Sequence, residues 1–483
     1  MKLSYKFRRV GITGSARSGK TVFLMSLISH LEKGKLTLAL NEKQVTTRKF
    51  RRVPCNPGWL DAEVIESAGL RKFFRGEKNE FDYDGLISHL ARAKEWPEKT
   101  IDNFFYRCRF ERSDVKLTGT EIEFFDFPGE RVADVTMIGK DYAEWSERML
   151  QTIANEPAKK QHAADFLEST RRDVLVEADL IERYKDALAR LILDFHPLIS
   201  PSTFLVDTDG IEATGSTPEE IIAGTARAVA KPRFSGLRDA EFVPLPLTQK
   251  QKQPELFKKF ADRYQRYQRE VVNPFTRNLL ACHNLVFLID ISDILGSGDQ
   301  KYNDIHLLIK ELLNYIDQGM GFFRRLCRGS KNLVSKLYGL KSGWIESIAF
   351  VASKADKVHP VDRDKLVPLL RDLAQPLVDN SELAGKAEFL PCISVLSTEA
   401  PNEDDQLLVG RPIWMPDSDG YRKLPPDGER VQVRVSPLPI HWPDAWDGSA
   451  FSFYDFYPII PAVRGNPPKQ KGLERIMEFI LNH

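Results

Sequence analysis

Apolar positions along this chain fall into two periods, and the periods change in a regular order. Arg8 to Thr13 predicts a short strand, and "KTVFLMSLISHLEKG" (20–34) predicts a helix. Val22, Leu24, Leu27, Ile28 and Leu31 make the apolar face of that helix, and Gly34 suits its C-terminal cap. Residues 41–95 read as an irregular, partly helical and charge-rich stretch. Two strands are predicted next, "NFFYRCRFE" and "TEIEFFDF", joined by a polar turn at Gly119.

Helical periodicity then dominates, in "MIGKDYAEWSERMLQTI", "DVLVEADLIERYKDALARLILDF" and "ELFKKFADRYQRYQREVV", the last broken near Pro274. Sheet-like runs return as "NLVFLIDI" (284–291), "SIAFVASK" (347–354) and "FLPCISV" (389–395). Region 400–462 is rich in Pro, Gly and Asp around the short strand "RVQVRVS", and "GLERIMEFILN" predicts a final helix. Strand–helix alternation at both ends of a helical middle predicts an α/β core interrupted by insertions. The expected division is a core of 1–40, 96–135 and 284–483, a first insertion at 41–95 and a helical insertion at 136–283.

Composition narrows the class without deciding it. With 483 residues, 42% of them hydrophobic, the chain can bury a sizeable core. A net charge of +1 gives no global pull toward nucleic acid, and no specific nucleic-acid partner is expected. Cys55, Cys108, Cys282, Cys327 and Cys392 are scattered without paired spacing, which argues against a disulfide framework or zinc knuckle and suits a reducing compartment. The most apolar window, "NLLACHNLVFLIDI", is too short to span a bilayer and is broken by His283 and Asn284. The N-terminus has basic residues (Lys2, Lys6, Arg8, Arg9) but no signal-peptide pattern; these are expected to form a solvated tip. A cytoplasmic location is expected, with an anionic lipid surface as the alternative contact for the basic tip.

The chemistry is concentrated in a few short stretches. "GSARSGKT" (14–21) matches G-x-x-x-x-G-K-[ST] between a predicted strand and a predicted helix. In that setting the backbone N–H groups of Ser15, Ala16, Arg17, Ser18, Gly19, Lys20, Thr21 and Val22 would wrap phosphate oxygens at a helix N-terminus. Lys20 would reach the β- and γ-phosphates, and the Thr21 hydroxyl would bind Mg²⁺. "DFPGER" (126–131) ends a buried strand: Asp126 would sit on the metal side and Gly129 would offer its N–H to the γ-phosphate. "VASKADK" (351–357) resembles [NT]-K-x-D with Ser353 in the first place. Asp356 would read the guanine edge, which adenine lacks, and the Lys354 stem would lie over the purine. Thr100 precedes the strand that should pair with the Asp126 strand, the place of a switch threonine for Mg²⁺ and γ-phosphate. Ser394 and Val395 occupy the place of the last base-contacting loop.

The stretches "GSARSGKTVF", "WPEKT", "DFPGER", "SKAD" and the tail "VRVSPLPIHWP…FSFYDFYPIIPA…LERIMEFILN" together resemble the YcjX-like family of bacterial P-loop GTP-binding proteins. The resemblance implies a Ras-like P-loop GTPase core, a mixed and mostly parallel sheet flanked by helices, with large helical insertions. It also implies a link to bacterial stress responses and a membrane-protein neighbour, which leaves room for a cytoplasmic protein to sit peripherally at the inner face of the bacterial inner membrane. Lys20, Thr21, Thr100, Asp126, Gly129, Lys354 and Asp356 carry over residue by residue. Ser353 stands where threonine is expected, and Arg131 where an aromatic is usual.

The expected function is GTP binding with slow, Mg²⁺-dependent hydrolysis to GDP and phosphate, Lys20, Thr100 and Glu130 being the catalytic candidates. Glu130 stands where Ras-like proteins place a water-orienting glutamine, so its charge opposes an anionic γ-phosphate. Arg17 and Arg131 are internal candidates for the role of an arginine finger. The output would be a protein partner, a membrane protein among the choices, read through the switches or the helical insertion. Two alternatives stay open: an ATP-using P-loop ATPase or kinase, and a nucleotide-dependent scaffold that does not hydrolyse. The basic–aromatic stretch 258–270 is read as core packing, with Leu256, Phe260, Tyr264, Tyr267 and Val271 on one stripe, rather than as an RNA surface. The basic stretch 321–339 is read as a surface helix or a membrane- or partner-facing one.

Overall fold

The computed structural model describes residues 4–15, 18–53, 82–93, 95–96, 104–115, 118–127, 133–194, 241–327, 345–402, 405–413, 415–416, 422–423, 429–446, 451–459 and 466–482. The chain divides into two compact units, one of Met1–Gly129 with Leu279–His483 and one of Glu130–Asn278.

The first unit is built on an eight-stranded sheet among the described residues, in the order β2-β3-β4-β5-β1-β6-β7-β8. Its strands are β1 (Ser4–Gly14), β2 (Thr37–Leu40), β3 (Lys43–Arg52), β4 (Phe104–Arg112), β5 (Thr118–Asp126), β6 (Asn284–Ile289), β7 (Ser347–Ala352) and β8 (Ala387–Pro391). From β5 across to β8 the pairs are parallel, while β4 pairs β5, β3 pairs β4 and β2 pairs β3 in antiparallel fashion. Strands β6 and β7 are buried at every position, so "NLVFLI" and "SIAFVA" have no polar alternation; parallel strands covered on both faces need none.

One face is covered by α1 (Lys20–Glu32) and the C-terminal helix Leu473–Asn482. Phe23, Leu24, Leu27, Ile28 and Leu31 join Val10, Ile12, Val286, Leu288 and Val351 in a single core with Leu473, Ile476 and Ile480. Helix α1 is buried on nearly all sides, Phe23 and Met25 included, rather than along the one stripe that its periodicity suggests. Its apolar run therefore belongs to a central helix.

Three features differ from the sequence pattern. Residues 43–52, read as part of an irregular insertion, form β3; Val45 and Thr47 point inward while their charged neighbours face solvent. Five exposed basic residues, Lys43, Arg48, Lys49, Arg51 and Arg52, disguise this edge-side strand in sequence. The basic tip is only partly a solvated end: Lys2 lies outside the described residues and Lys6 is exposed on β1, but Arg9 is 5% exposed with its Nε donating to Glu123 at 2.9 Å, and Arg8 pairs with Glu346 at 3.2 Å. The helix expected to break at Pro274 instead continues. Helix Pro254–Tyr267 widens to a π turn at Gln268–Val272 and resumes as Asn273–Leu280. A wider turn gives the proline ring the room that a regular i−4 carbonyl denies it.

The second unit is helical around an aromatic core. Helix Tyr142–Ala154 starts at a capping box, Asp141 and Glu144 each accepting from the other's backbone N–H. Trp145 packs on Tyr264 with ring centroids 5.2 Å apart and on Phe242 at 5.4 Å. The buried stripe of helix Pro254–Tyr267 runs through Phe257, Phe260, Tyr264 and Tyr267, with Phe257 taking the place expected of Leu256. Lys259 and Arg263 pair with Glu177, so these bases stabilise the unit's own surface. Among the described residues no helix is long and apolar enough to cross a membrane. The basic stretch from 328 onward lies outside the described residues.

Candidate nucleotide site

The site forms where the parallel strands end. Gly14 closes β1 and Gly19 starts α1 in the left-handed region, at φ 84° and ψ 24°. Between them Ser18 turns the chain back, its Oγ donating to the Ser15 carbonyl at 2.8 Å. The Lys20 ammonium lies inside this loop, 2.7 Å from the Ser15 carbonyl, 3.5 Å from that of Gly14 and 3.4 Å from Ser18 Oγ. Among the described residues no side chain caps the start of α1, and its first turn holds no acid. The loop therefore concentrates a buried cation and a positive helix end at one point, a favourable setting for an anion.

Asp126 enters from the next strand. The parallel register sets Ile12 beside Asp126, and the Phe127 N–H donates to the Ile12 carbonyl at 2.9 Å. That register brings the buried Asp126 carboxylate to the first turn of α1, where Thr21 Oγ1 donates to Asp126 Oδ2 at 3.2 Å across 105 residues of chain.

On the other side of β1, β6 and β7 deliver the second group. Lys354 sits in the left-handed region, at φ 53° and ψ 36°, and starts the turn Ala355–Lys357. Its stem reaches the phosphate loop: a Cβ on Gly19 would be 4.0 Å from Lys354 Cε. Its ammonium is 3.4 Å from Asp290 at the end of β6 and 3.4 Å from Asp455. Burial pulls that ammonium down, but Asp455 and Asp290 outweigh it and leave it raised. Asp356 is buried, and its Oδ2 accepts from the Ser397 N–H at 2.8 Å and from the Ser397 hydroxyl. Burial raises the Asp356 carboxyl above its ordinary range, against those two donors. The Ser353 hydroxyl is buried and has no hydrogen-bond partner among the described residues.

The expected residues thus divide. Ser15, Ser18, Gly19, Lys20, Thr21 and Asp126 meet at one centre, and Lys354 joins it through Gly19. Val22 is half-buried against the core beneath. Ser394 and Val395 are turned toward α1: the Ser394 carbonyl accepts from Ser26 Oγ at 2.5 Å and the Val395 side chain is in the core. Further along the same loop, Ser397 is the residue that donates to the Asp356 carboxylate. Ala16, Arg17, Thr100, Gly129, Glu130 and Arg131 lie outside the described residues. Asp290, Lys357 and Asp455 were not anticipated. Asp290 carried a signal, since it ends an apolar run as Asp126 does, whereas Asp455 lies in no periodic pattern.

A mixed sheet with the parallel order β5-β1-β6-β7-β8, an antiparallel β4 beside β5, flanking helices and a phosphate loop between β1 and α1 defines a Ras-like P-loop core. Sequence comparison places the chain more narrowly. It belongs to the YcjX-like family, DUF463, whose profile matches residues 8–214 and 227–483. It is similar to the Ras-like GTPase YcjX of Escherichia coli (strain K12), at 24% identity over an alignment of 503 positions covering 98% of this chain and 95% of that protein. It is also similar to the Ras-like GTPase YcjX of Shewanella oneidensis, at 21% identity, covering 93% of this chain and 88% of that protein.

Proposed function

We propose that this protein binds GTP, hydrolyses it slowly to GDP and phosphate, and acts as a Mg²⁺-dependent switch. The observation that carries the reading is the convergence of Lys20, the Thr21–Asp126 pair and the Lys354–Asp356 turn at the ends of β1, β5 and β7. The names of the two relatives support guanine nucleotide as the ligand.

Thr21 and Asp126 supply only oxygen donors, held within 3.2 Å of each other, a set that suits a hard cation such as Mg²⁺. When bound, that ion would neutralise phosphate charge. Lys20 and the backbone N–H groups from Ser15 to Val22 would bind the phosphates and stabilise charge as the γ-phosphate departs. The Asp356 carboxylate would accept from the guanine N1–H and exocyclic amine, with Ser397 orienting it. Thr100 and Gly129 would sense the γ-phosphate, and Glu130 would orient water, with Arg17 or Arg131 as a source of positive charge. The output would be a protein partner, read through the switches or the helical unit, in a bacterial stress response. The bacterial origin of both relatives supports a bacterial setting.

The test is phosphate release from GTP by wild type, Lys20→Ala and Thr21→Ala, each with Mg²⁺ and with EDTA. The reading expects turnover by wild type that needs Mg²⁺ and is abolished by Lys20→Ala. Thr21→Ala should weaken GTP binding in Mg²⁺ and leave it unchanged in EDTA. Wild-type release equal to that of Lys20→Ala would favour the non-hydrolysing scaffold instead.

A further inference from the structure

Lys354 does not stand alone at the base end. Two lysines, Lys354 and Lys357, face two carboxylates, Asp290 and Asp455. Asp290 Oδ2 is 3.4 Å from the Lys354 ammonium and 3.2 Å from that of Lys357. Asp455 Oδ1 is 3.4 Å and 3.0 Å from the same two groups. Asp290 is fixed by its strand end, where it also caps the helix Ile291–Ser297 by accepting from the Asp293 N–H at 3.1 Å. Asp455 comes instead from the distant C-terminal stretch Phe451–Ile459, which has little regular structure of its own.

That stretch is held at several points. The Asp455 carbonyl accepts from the Ile413 N–H at 2.7 Å, and the Tyr457 N–H donates to the Arg411 carbonyl at 2.7 Å. The Phe456 ring is buried among Leu408, Val433 and Val435, and it lies so close to Gly410 that a Cβ there would be 2.5 Å from it. The Ile459 N–H donates to the Leu396 carbonyl at 2.9 Å, next to Ser397, the partner of Asp356. On the other side the Phe456 carbonyl accepts from Trp96 Nε1 at 2.7 Å, and Trp96 lies four residues before Thr100. One short strap therefore touches both base-reading loops and the chain leading to the candidate switch threonine.

We propose that Phe451–Ile459 is a strap that completes the base end of the site. In it Asp455 is a positioning residue that holds Lys354 for the purine, and Phe456 ties the same strap to Trp96. The proposal rests on the guanine-nucleotide reading above. Without Asp455, Lys354 and Lys357 face Asp290 with one carboxylate fewer between them, and the Lys354 ammonium loses one of the two carboxylates that pair with it among the described residues. The ligand it positions is the purine nucleoside; the phosphates are held elsewhere, by Lys20. Asp455 should therefore affect nucleotide retention more than the hydrolytic step.

The experiment measures GTP dissociation constants and single-turnover hydrolysis for wild type, Asp455→Asn, Asp455→Glu, Lys354→Gln and the double variant Lys354→Gln/Asp455→Asn. Asp455→Asn should weaken GTP about fivefold, the scale of a partly exposed ion pair, with the single-turnover rate at saturating GTP unchanged. Asp455→Glu should recover most of the affinity. The double variant should be no weaker than Lys354→Gln, because Asp455 acts through that lysine. Equal affinity of Asp455→Asn and wild type, or full additivity in the double variant, would overturn the proposal and leave the guanine reading standing. No GTP binding by wild type would overturn both. Should Asp455→Asn fail to fold, the intact chain carries the test. The difference in emission between wild type and Trp96→Phe should change when GTP is added, and an unchanged difference would overturn the strap.

Discussion

Two glycines of the phosphate loop separate a structural demand from a local one, and alanine at each should show it. Gly14 has φ 144°, and a Cβ there would lie 2.1 Å from the Leu288 carbonyl oxygen and 2.9 Å from the Leu288 nitrogen. Both contacts are backbone of β6, the strand hydrogen-bonded to β1, so no side chain can swing aside. Backbone strain of about 1–3 kcal/mol adds to about 1–3 kcal/mol for forcing volume into packed structure, giving roughly 2–6 kcal/mol for Gly14→Ala. Gly19 also has positive φ, at 84°, but among the described residues its added Cβ would meet only Lys354 Cε, at 4.0 Å, an ordinary contact. Gly19→Ala should therefore cost only the left-handed preference, about 1–2 kcal/mol. Urea unfolding followed by circular dichroism, with slopes compared, would measure both. Gly14→Ala should unfold well before Gly19→Ala, or fail to accumulate as folded protein. A Gly14→Ala midpoint equal to or above that of Gly19→Ala would refute the account of the β1–β6 approach.

Other outcomes follow from single groups. Burial holds the His30 imidazole below its ordinary value of 6.5, against the opposing pull of the Ser26 carbonyl and Glu474. The unfolded chain then binds the proton more readily, so stability should fall as pH drops below about 6.5. His30→Gln should flatten this slope in a pH series of melts, leaving the part due to His306, which burial and Lys310 lower in the same direction. An unchanged slope would exclude His30 as its source. Ser353→Ala removes a buried hydroxyl that makes no hydrogen bond among the described residues, so it should be neutral or stabilising by up to ~1 kcal/mol, whereas a loss above that would mean the hydroxyl is bonded.

What could be read from the sequence was what is local in the chain. The phosphate loop announces itself because strand, glycines, lysine and helix are contiguous. Asp126 and Lys354 do so because each follows an apolar run that must be a buried strand. The side chains that lock these pieces together are legible only after folding. Asp455 acts 101 residues from Lys354 and Ser397 acts 41 residues from Asp356, and neither lies in a periodic segment. Strand β3 does not read as a strand because half of its residues are exposed bases, which break the alternation around Val45 and Thr47. The phase of helix Pro254–Tyr267 slipped by one residue, to Phe257, because Leu256 and Phe257 are adjacent and equally apolar. Helix α1 looked amphipathic, yet its full burial depends on the C-terminal helix that joins it more than 400 positions later in the chain.

The central claim is that the turn at Lys354–Asp356 reads guanine beside a phosphate loop. The most direct measurement is competition between GTP, ATP and xanthosine triphosphate on purified wild type and Asp356→Asn, in Mg²⁺. Wild type should prefer GTP over ATP by a wide margin. Asp356→Asn should lose GTP affinity and shift toward the xanthine nucleotide, whose ring carbonyl replaces the amine that the carboxylate bonds. Preference of wild type for ATP, or an Asp356→Asn variant with unchanged base preference, would contradict the account.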